Sequence, residues 1–378
     1  MRWERLHVVL GLLAFAVISI QGLTGALLVF EEDIDRWLNR DIVTVAARGE
    51  PLSLEAQLDR FAEQRSDMVR HVYAVRLPDT PRDATLLLAK PSALDDGPRR
   101  GVRFMVDPYT GEILGTQRYG DTIMGMVYNL HRRLLLPPWG KWITSTSAII
   151  LMASALTGLV VAARRRRHSV RPPGRERSGV HRWVGRWFAP LVFVIAFNGF
   201  AVTYRFVLIP ALYVVTNTEF PRSLEQRGLL PLPPNEGAPR RAVDELVALA
   251  NEREPDATPR VVLQPRVEGR PVTVILQKPH ETRDLGGTFQ ILDPHTGRTM
   301  ERMDFTDGEL GFRAVYWTIH LHKGTWGGLL LGRYGALATR ILWIVVALMV
   351  PVLALSGLRW WWRRRSLDDD RGDPSVPA

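Results

Sequence analysis

The chain has 378 residues, with 49 lysines and arginines against 39 acidic residues, and it contains no cysteine. Its length allows two or three domains. The lack of cysteine excludes disulfides, thiolate-bound clusters and haem attachment through a Cys-x-x-Cys-His motif, so any metal or haem needs histidine, carboxylate, methionine or tyrosine ligands. The net charge of +10 lies largely in short segments beside apolar runs, which indicates membrane topology and no nucleic-acid partner.

Four apolar runs lie at residues 6–30, 143–163, 183–209 and 337–360. Each is long enough to cross a hydrocarbon core of roughly 30 Å, which takes about 20 helical residues. The first run follows two arginines, as in a secretory signal, but no small-x-small cleavage site follows it, so we interpret it as a retained helix. The sequence therefore predicts an integral protein of the lipid bilayer.

Arginines mark one side of these runs. The segment 164–182 holds eight arginines and one acidic residue, residues 363–365 are three arginines, and the N-terminus carries Arg2 and Arg5. Short basic segments are retained on the cytoplasmic side of a membrane. We therefore expect a protein of the bacterial inner membrane with both termini in the cytoplasm and with the two long segments in the periplasm.

The two long segments have the same order of predicted elements. Each contains a helix, at 53–67 and 241–253, and then three strands. The strands are expected at 71–77, 84–90 and 101–106, and at 260–264, 272–277 and 288–292. An Asp-Pro-x-Thr-Gly turn ends the third strand in both segments, with proline and glycine setting the turn dihedrals.

A helix followed by a three-stranded meander that ends in DPYTGEILG resembles a PepSY domain. Two such segments between four spans, with a His-x-x-x-Gly start at His7 and His181, resemble the PepSY-associated transmembrane family and its branch of FoxB-type ferric-siderophore reductases. The resemblance covers nearly the whole chain. We expect an α-helical integral membrane protein with four transmembrane helices in a pseudo-twofold internal repeat and two α+β PepSY-like periplasmic domains.

This plan assigns a boundary to each part of the chain. We expect transmembrane helix 1 at 1–30, PepSY-like domain 1 at 31–120, an interfacial helix at 121–140, transmembrane helix 2 at 141–163, the arginine-rich cytoplasmic loop at 164–182, transmembrane helix 3 at 183–209, PepSY-like domain 2 at 210–308, an interfacial helix and loop at 309–336, transmembrane helix 4 at 337–362 and a cytoplasmic tail at 363–378.

His131 and His320 occupy matching places in the two halves. Each follows apolar residues at i, i+3, i+4 and i+7, which predicts an amphipathic helix at the membrane surface just before a span. A single histidine on such a face is usually structural, but its repetition at the same phase favours a ligand role, with His322 open as an alternative to His320. The remaining histidines are interpreted as solvated residues: His71, His168, His280 and His295.

His7 and His181 begin the first and third spans at the cytoplasmic edge. An interfacial histidine beside a tryptophan is the structural alternative. Gly11 and Gly185 lie four residues further on, on the same helix face. A glycine there would let a flat macrocycle lie against the helix, as small residues let helices approach. We therefore expect His7 and His181 to be ligands, and Gly11 and Gly185 to border a haem pocket.

Depth in the membrane divides these histidines into two pairs, with His7 and His181 inside and His131 and His320 outside. Each pair takes one residue from each half, and two imidazoles without an open coordination position suit a b-type haem used for electron transfer. The expected cofactors are two haems b, and the four histidines are their axial iron ligands. Two sites at opposite faces form a relay across the hydrocarbon core.

The family resemblance implies an oxidoreductase that passes electrons outward to a ferric siderophore and releases Fe(II). The sequence lacks a Gly-x-Gly-x-x-Gly fingerprint, so the electrons must come from a cytoplasmic donor or a quinol. Gln21 and Asn198 are matched polar residues within spans one and three, where they either line a haem pocket or join helices. Two alternative functions stay open, a small transporter or permease component and a non-enzymatic PepSY assembly or inhibitor protein.

Overall fold

The computed structural model describes residues 2–90, 101–167, 179–219, 232, 238–279, 287–304 and 308–370. The solvated positions predicted for His168 and His280 lie outside these residues, as does most of the arginine-rich loop. The helices are α1 (Arg2–Leu28), α2 (Glu31–Leu38), α3 (Arg40–Val43), α4 (Leu54–Gln64), α5 (Ile123–Arg133), α6 (Gly140–Arg167), α7 (Gly179–Thr203), α8 (Arg205–Thr216), α9 (Val243–Arg253), α10 (Leu310–Lys323) and α11 (Gly328–Asp370).

Four of these helices, α1, α6, α7 and α11, are long and apolar enough to cross a membrane, as the sequence predicted. Helix α1 packs against α6 and α11, and α7 packs against the same two helices. This order places α1 and α7 at opposite corners of a four-helix bundle. The centre of the bundle is filled by small and branched apolar side chains: Ala14, Ile18, Val192, Val346 and Val350.

The two ends of the bundle differ in chemistry. At one end, which we call the arginine end, α6 ends at Arg167, α1 and α7 begin, and α11 passes Arg363. At the other, the sheet end, α1 leads into α2 and the chain enters a β-sheet. Helices α5 and α10 lie at the sheet end, where α5 packs against α1 and α6 while α10 packs against α7 and α8.

The extramembrane part is built on one antiparallel sheet of eight strands in the order β4-β3-β2-β1-β5-β6-β7-β8. The strands are β1 (Val72–Arg76), β2 (Thr85–Ala89), β3 (Val102–Val106), β4 (Ile113–Arg118), β5 (Thr258–Leu263), β6 (Val272–Gln277), β7 (Thr288–Leu292) and β8 (Thr299–Asp304). Because β1 pairs with β5, the two expected PepSY-like domains share a single continuous sheet, and the order of the strands is mirrored about that pair.

The prediction of three strands in each half was wrong, because the Asp-Pro-x-Thr-Gly turn leads into a fourth strand. Gly111 and Gly297, the last residues of the two turns, have φ of +74° and +71°, a conformation that favours glycine. The chain then reverses into β4 and β8, which pair with β3 and β7. Both extra strands lie at the sheet edges and carry many polar side chains, so they lack the alternating apolar signal.

Helices α4 and α9 cover one face of the sheet and close its core. Leu58 and Phe61 of α4 and Leu246 of α9 are completely or almost completely buried, together with Phe104 and Val262 of the strands. Burial of such side chains contributes roughly 1.5–3 kcal/mol each to stability. The core therefore continues across the β1–β5 pair and includes both halves of the chain.

Candidate functional site

His7 and His181 meet at the arginine end of the bundle. Their ring centres are 6.0 Å apart and their planes are inclined by 58°. The two side chains come from α1 and α7, the helices at opposite corners, so they face each other across the bundle. The structure thus brings together the two residues that the sequence paired by depth.

His7 is fixed by groups of α6. Its Nδ1 lies 3.0 Å from the carbonyl oxygen of Ser154 and 3.3 Å from Oγ1 of Thr157. A carbonyl oxygen only accepts hydrogen bonds, so Nδ1 carries the proton and Nε2 keeps its lone pair. The ring edge also lies against Gly158, where an added Cβ would be 3.0 Å from Cε1 of His7. Nε2 is therefore the atom available as a ligand.

His181 has the same surroundings, supplied by α11. Its Nδ1 lies 3.1 Å from the carbonyl oxygen of Leu353 and 3.1 Å from Oγ of Ser356. A Cβ on Gly357 would be 3.2 Å from Cε1 of His181. The bonded carbonyl comes from the fourth residue before the glycine and the hydroxyl from the residue directly before it, as for His7. The tautomer of His181 is fixed in the same way.

His131 of α5 occupies the corresponding place against α1 at the sheet end. Its Nδ1 lies 3.0 Å from Oγ1 of Thr24, and the backbone of Gln21 supplies a further hydrogen bond. The hydroxyl of Thr24 donates to the carbonyl of Ile20 at 2.6 Å, so its lone pairs are left to accept from His131. A Cβ on Gly25 would be 3.2 Å from Cε1 of His131.

His322, not His320, completes the pair at the sheet end. The ring centres of His131 and His322 are 6.3 Å apart and their planes are inclined by 45°. Nδ1 of His322 lies 3.4 Å from the carbonyl oxygen of Ile195, and a Cβ on Gly199 would be 2.9 Å from its Cε1. His322 thus lies against α7 as His131 lies against α1.

The predicted equivalence of His131 and His320 was wrong because the apolar face of α10 does not point into the helix bundle. Phe312, on that face, packs with residues of α8 and the sheet, namely Tyr213, Ile291 and Met303. His320 lies on this same face. It is completely buried, and its Nδ1 lies beside the hydroxyl of Thr325. Two residues turn a helix by about 200°, so His322 faces α7 instead.

Helices α5 and α10 lie outside the four spanning helices, and burial changes the titration of their histidines. Burial lowers the pKa of His131 to about 4, and the neighbouring His322 adds to the decrease. Burial also lowers the pKa of His322. Both imidazoles are therefore neutral near pH 7, the state in which Nε2 can bind a metal.

The two glycines predicted beside the arginine-end pair face free space. A Cβ on Gly11 would meet no atom within 4 Å, and one on Gly185 would meet only Cδ2 of Leu353 at 3.7 Å. A flat group held between His7 and His181 could extend along these helix faces without displacing protein atoms. The haem-pocket role of Gly11 and Gly185 stays a prediction, for which these helix faces leave space.

Gln21 and Asn198 do not occupy equivalent places, although the sequence pattern suggested that they do. Gln21 joins two helices, because its Oε1 accepts a hydrogen bond of 3.0 Å from the hydroxyl of Ser147 in α6. Asn198 is buried directly before Gly199, and its Nδ2 donates to Val194 of its own helix at 2.8 Å. The residue of α1 at the position of Asn198 is therefore Thr24, which precedes Gly25.

The sequence-based prediction missed the four residue–glycine steps that hold the imidazoles. We call each of these steps, together with the carbonyl four residues before the glycine, a histidine cradle. The glycines are Gly25, Gly158, Gly199 and Gly357. The signal was present in the spacing, because Gly25 follows His7 by 18 residues and Gly199 follows His181 by the same number.

The geometry fits a metal held between two axial imidazoles. An imidazole nitrogen binds a first-row metal at about 2.0 Å and the ring centre lies about 1.1 Å further back, so opposed ligands of one iron have ring centres about 6.2 Å apart. The two observed separations are 6.0 and 6.3 Å. Among the described residues, no group of three or more His, Asp or Glu side chains could hold a metal ion by itself.

The fold and the site define a class of protein: a four-helix membrane protein with an antiparallel extramembrane sheet and two opposed histidine pairs. The family described as PepSY-associated TM region matches residues 4–364. The chain therefore belongs to this family, as the sequence resemblance predicted. No curated protein matches the chain.

Proposed function

We propose that the protein is a di-haem b oxidoreductase of the bacterial inner membrane that passes electrons from the cytoplasmic side to a ferric siderophore in the periplasm and so releases Fe(II). The observation that carries this proposal is the pair of opposed imidazoles at each end of one bundle. In both pairs, Nδ1 of each histidine lies within hydrogen-bond distance of a cradle group on a neighbouring helix. We further propose that the halves arose by internal duplication.

His7 and His181 would hold one haem at the arginine end, and His131 and His322 the other at the sheet end. Two bis-imidazole haems would supply reversible one-electron transfer without an open coordination position. Each cradle accepts a hydrogen bond from Nδ1 and so leaves Nε2 as the ligand atom, as outer-shell partners of metal-bound histidines do. Glycine in each cradle leaves room for the ring to lie against the neighbouring helix.

The two proposed haem sites lie at different depths along the bundle. Helix α1 carries His7 of the arginine-end pair and Gly25, which lies against His131 of the sheet-end pair. His7 and Gly25 are 18 residues apart, which corresponds to about 27 Å of helix. The side chains packed in the centre of the bundle between the two ends are mainly apolar and include Ile18 and Val350. Such packing favours electron transfer over the transporter alternative, which needs a route for a substrate through the bundle.

The arginines support the proposed orientation. Arg164, Arg182, Arg186 and Arg359 lie on spanning helices near the arginine end, and basic residues next to spans are retained on the cytoplasmic side. The sheet would then lie in the periplasm, on the side of the siderophore. Iron reduction there lowers its affinity for hard oxygen ligands, which would release Fe(II). The electron donor would be a cytoplasmic reductant or a quinol.

A visible spectrum of the detergent-purified chain, oxidised and then reduced with dithionite, tests this proposal. We expect a reducible b-type spectrum and two haems per chain by pyridine haemochrome. Substitutions H131A and H322A should each remove the same haem, while H7A and H181A remove the other. H320A is the matched control and should keep both. A colourless protein from haem-replete cells would contradict the proposal and favour a PepSY assembly or inhibitor function.

Reduction of the siderophore is tested separately in proteoliposomes. With reductant enclosed at the arginine end and a ferric hydroxamate or catecholate outside, Fe(II) is trapped by ferrozine. We expect Fe(II) formation that depends on both histidine pairs. If the haem-loaded protein forms no Fe(II) with either class of chelate, the electron-transfer relay would need another acceptor.

A further inference from the structure

The four histidine cradles differ at one position, the residue before the glycine. Three of them have a hydroxyl there, from Thr157, Ser356 and Thr24, whereas the fourth has the amide of Asn198. In the three hydroxyl cradles the side-chain oxygen lies 3.0–3.3 Å from a histidine Nδ1. Asn198 is therefore the one departure from a shared arrangement.

Each of the three hydroxyls is set up to accept the Nδ1 proton. Thr157 donates its own proton to the carbonyl of Ala153 at 2.8 Å, and Ser356 donates to the carbonyl of Leu353 at 3.2 Å, as Thr24 does within α1. A hydroxyl that donates to its own helix has its lone pairs directed away from that carbonyl. These oxygens are therefore acceptors for the histidines, in addition to the backbone carbonyls.

Asn198 leaves His322 with a weaker partner. Its amide nitrogen donates to Val194 at 2.8 Å, and in the described part of the chain the acceptor facing Nδ1 of His322 is the carbonyl of Ile195 at 3.4 Å. That distance is longer than the 3.0–3.1 Å of the shortest Nδ1 contact of the other three histidines. Hydrogen-bond strength falls at such distances.

The strength of this bond affects the iron that Nε2 would bind. An acceptor on Nδ1 raises the basicity of the imidazole, and a more basic axial ligand favours the ferric state and lowers the reduction potential. On the proposed function, we infer that Asn198 gives the sheet-end haem site the higher reduction potential of the two. With haem bound at both sites, one electron would pass favourably from the arginine-end haem, which would lose it, to the sheet-end haem, which would gain it.

A potentiometric titration of the full-length protein in detergent, followed in the Soret band, measures both midpoints. The protein with H131A keeps only the arginine-end haem and assigns that midpoint. We expect the sheet-end haem to be reduced first, that is, at the higher potential. The opposite order in the native protein would overturn the inference without affecting the proposed function, because both haems would still be present.

Substitution N198T tests the residue itself, since it supplies the hydroxyl found in the other cradles. We expect it to change the ferric-to-ferrous equilibrium of the sheet-end haem up to tenfold, which for one electron is about 59 mV, toward the lower potential. The arginine-end midpoint should stay unchanged. The reciprocal control, T157N, should raise only the arginine-end midpoint.

Unchanged midpoints in N198T with two haems bound would overturn the inference. If N198T loses the sheet-end haem, N198S repeats the test with a smaller side chain, and the native order of potentials stands as an independent measurement. A native protein without haem would overturn the proposed function and this inference together. The haem count and the two midpoints together distinguish unchanged midpoints in N198T, loss of the sheet-end haem in N198T, and a native protein without haem.

Discussion

Glu55 and Asp244 each cap the helix that carries the other. The carboxylate of Asp244 accepts the backbone N–H groups of Leu54 and Glu55 at 2.7 and 2.9 Å, and the carboxylate of Glu55 accepts the N–H of Val243 at 2.8 Å. Helix N-termini carry unsatisfied N–H groups and partial positive charge. Each half of the chain thus satisfies a helix end of the other half.

Removing one cap should destabilise both halves of the sheet together. We expect D244A to lower the free energy of unfolding by about 0.5–2 kcal/mol, the usual range for a lost N-cap. In a double-mutant cycle, E55A and D244A should be non-additive by at least about 0.5 kcal/mol. Thermal unfolding followed by circular dichroism measures this, with the exposed E63A as the control. Additive effects would show that the two caps act independently.

On the proposed function, the cradle glycines should be needed for retention of the haems. In G199A, the new Cβ would stand 2.9 Å from Cε1 of His322, closer than nearly all such contacts, so the ring must move away from its ligand position. Changes to groups that orient metal ligands typically cost about 10- to 100-fold in affinity. We expect G199A to lose the sheet-end haem and G158A to lose the arginine-end haem.

The measurement for these glycines is the haem-to-protein ratio after gel filtration. The control is G179A, at the start of α7, where an added Cβ meets no atom within 4 Å. G179A should retain both haems. Full retention in both G158A and G199A would mean that the imidazoles have room to move and that the cradles do not orient them.

The hydrogen bond between Gln21 and Ser147 predicts a small effect. Interhelical side-chain bonds in membranes contribute about 0.6 kcal/mol on average, so Q21L should lower the stability of the bundle by less than about 1 kcal/mol. Both haems should remain, because Gln21 contacts α6 through its side chain and His131 only through its backbone. Loss of the sheet-end haem in Q21L would instead place the amide in the cofactor pocket.

Asp293 links the stability of the sheet to acid pH. Burial alone would raise the pKa of Asp293, but hydrogen bonds from the backbone of His295 and from Thr296 outweigh it and lower the pKa. A lowered pKa in the folded state gives stability that is present above the ordinary carboxyl pKa of about 3.9 and is lost as pH falls through the folded value.

D293N removes this charge, so the stability of the variant should depend less on pH in the acid range. At pH 7 we expect it to be less stable by about 1 kcal/mol, the usual contribution of a hydrogen bond. Below about pH 3.9 the difference from the native protein should shrink. Unfolding temperatures from pH 3 to 7 measure this, with the exposed D256N as the control. A constant difference across the range would contradict the assignment.

The sequence was sufficient to predict those features whose pattern is local and occurs in both halves of the chain. The four spans, the helices α4 and α9 and the pairing of His7 with His181 follow from hydropathy, helical spacing and depth. The choice between His320 and His322 did not, because it depends on which neighbour the apolar face of α10 contacts. That face packs on α8 and the sheet, and no periodicity in α10 itself distinguishes these partners from the four-helix bundle.

The missed strands and the joined sheet have a different cause. β4 and β8 are edge strands whose outward side chains are polar, so their sequence resembles a loop. The pairing of β1 with β5 connects strands from the two halves, and nothing in either strand indicates which of several apolar strands will be its neighbour. Long-range contacts of this kind follow from the assembled topology.

The cradles also set an order for assembly. His181 lies against Gly357 of α11, the most C-terminal of the described helices, and His322 reaches its partner His131 only after α10 has formed. A nascent chain that lacks its C-terminal third therefore has no His322 at the sheet end and no α11 cradle for His181 at the arginine end. On the proposed function, the haems would be held by both complete sites only after α10 and α11 have joined the bundle.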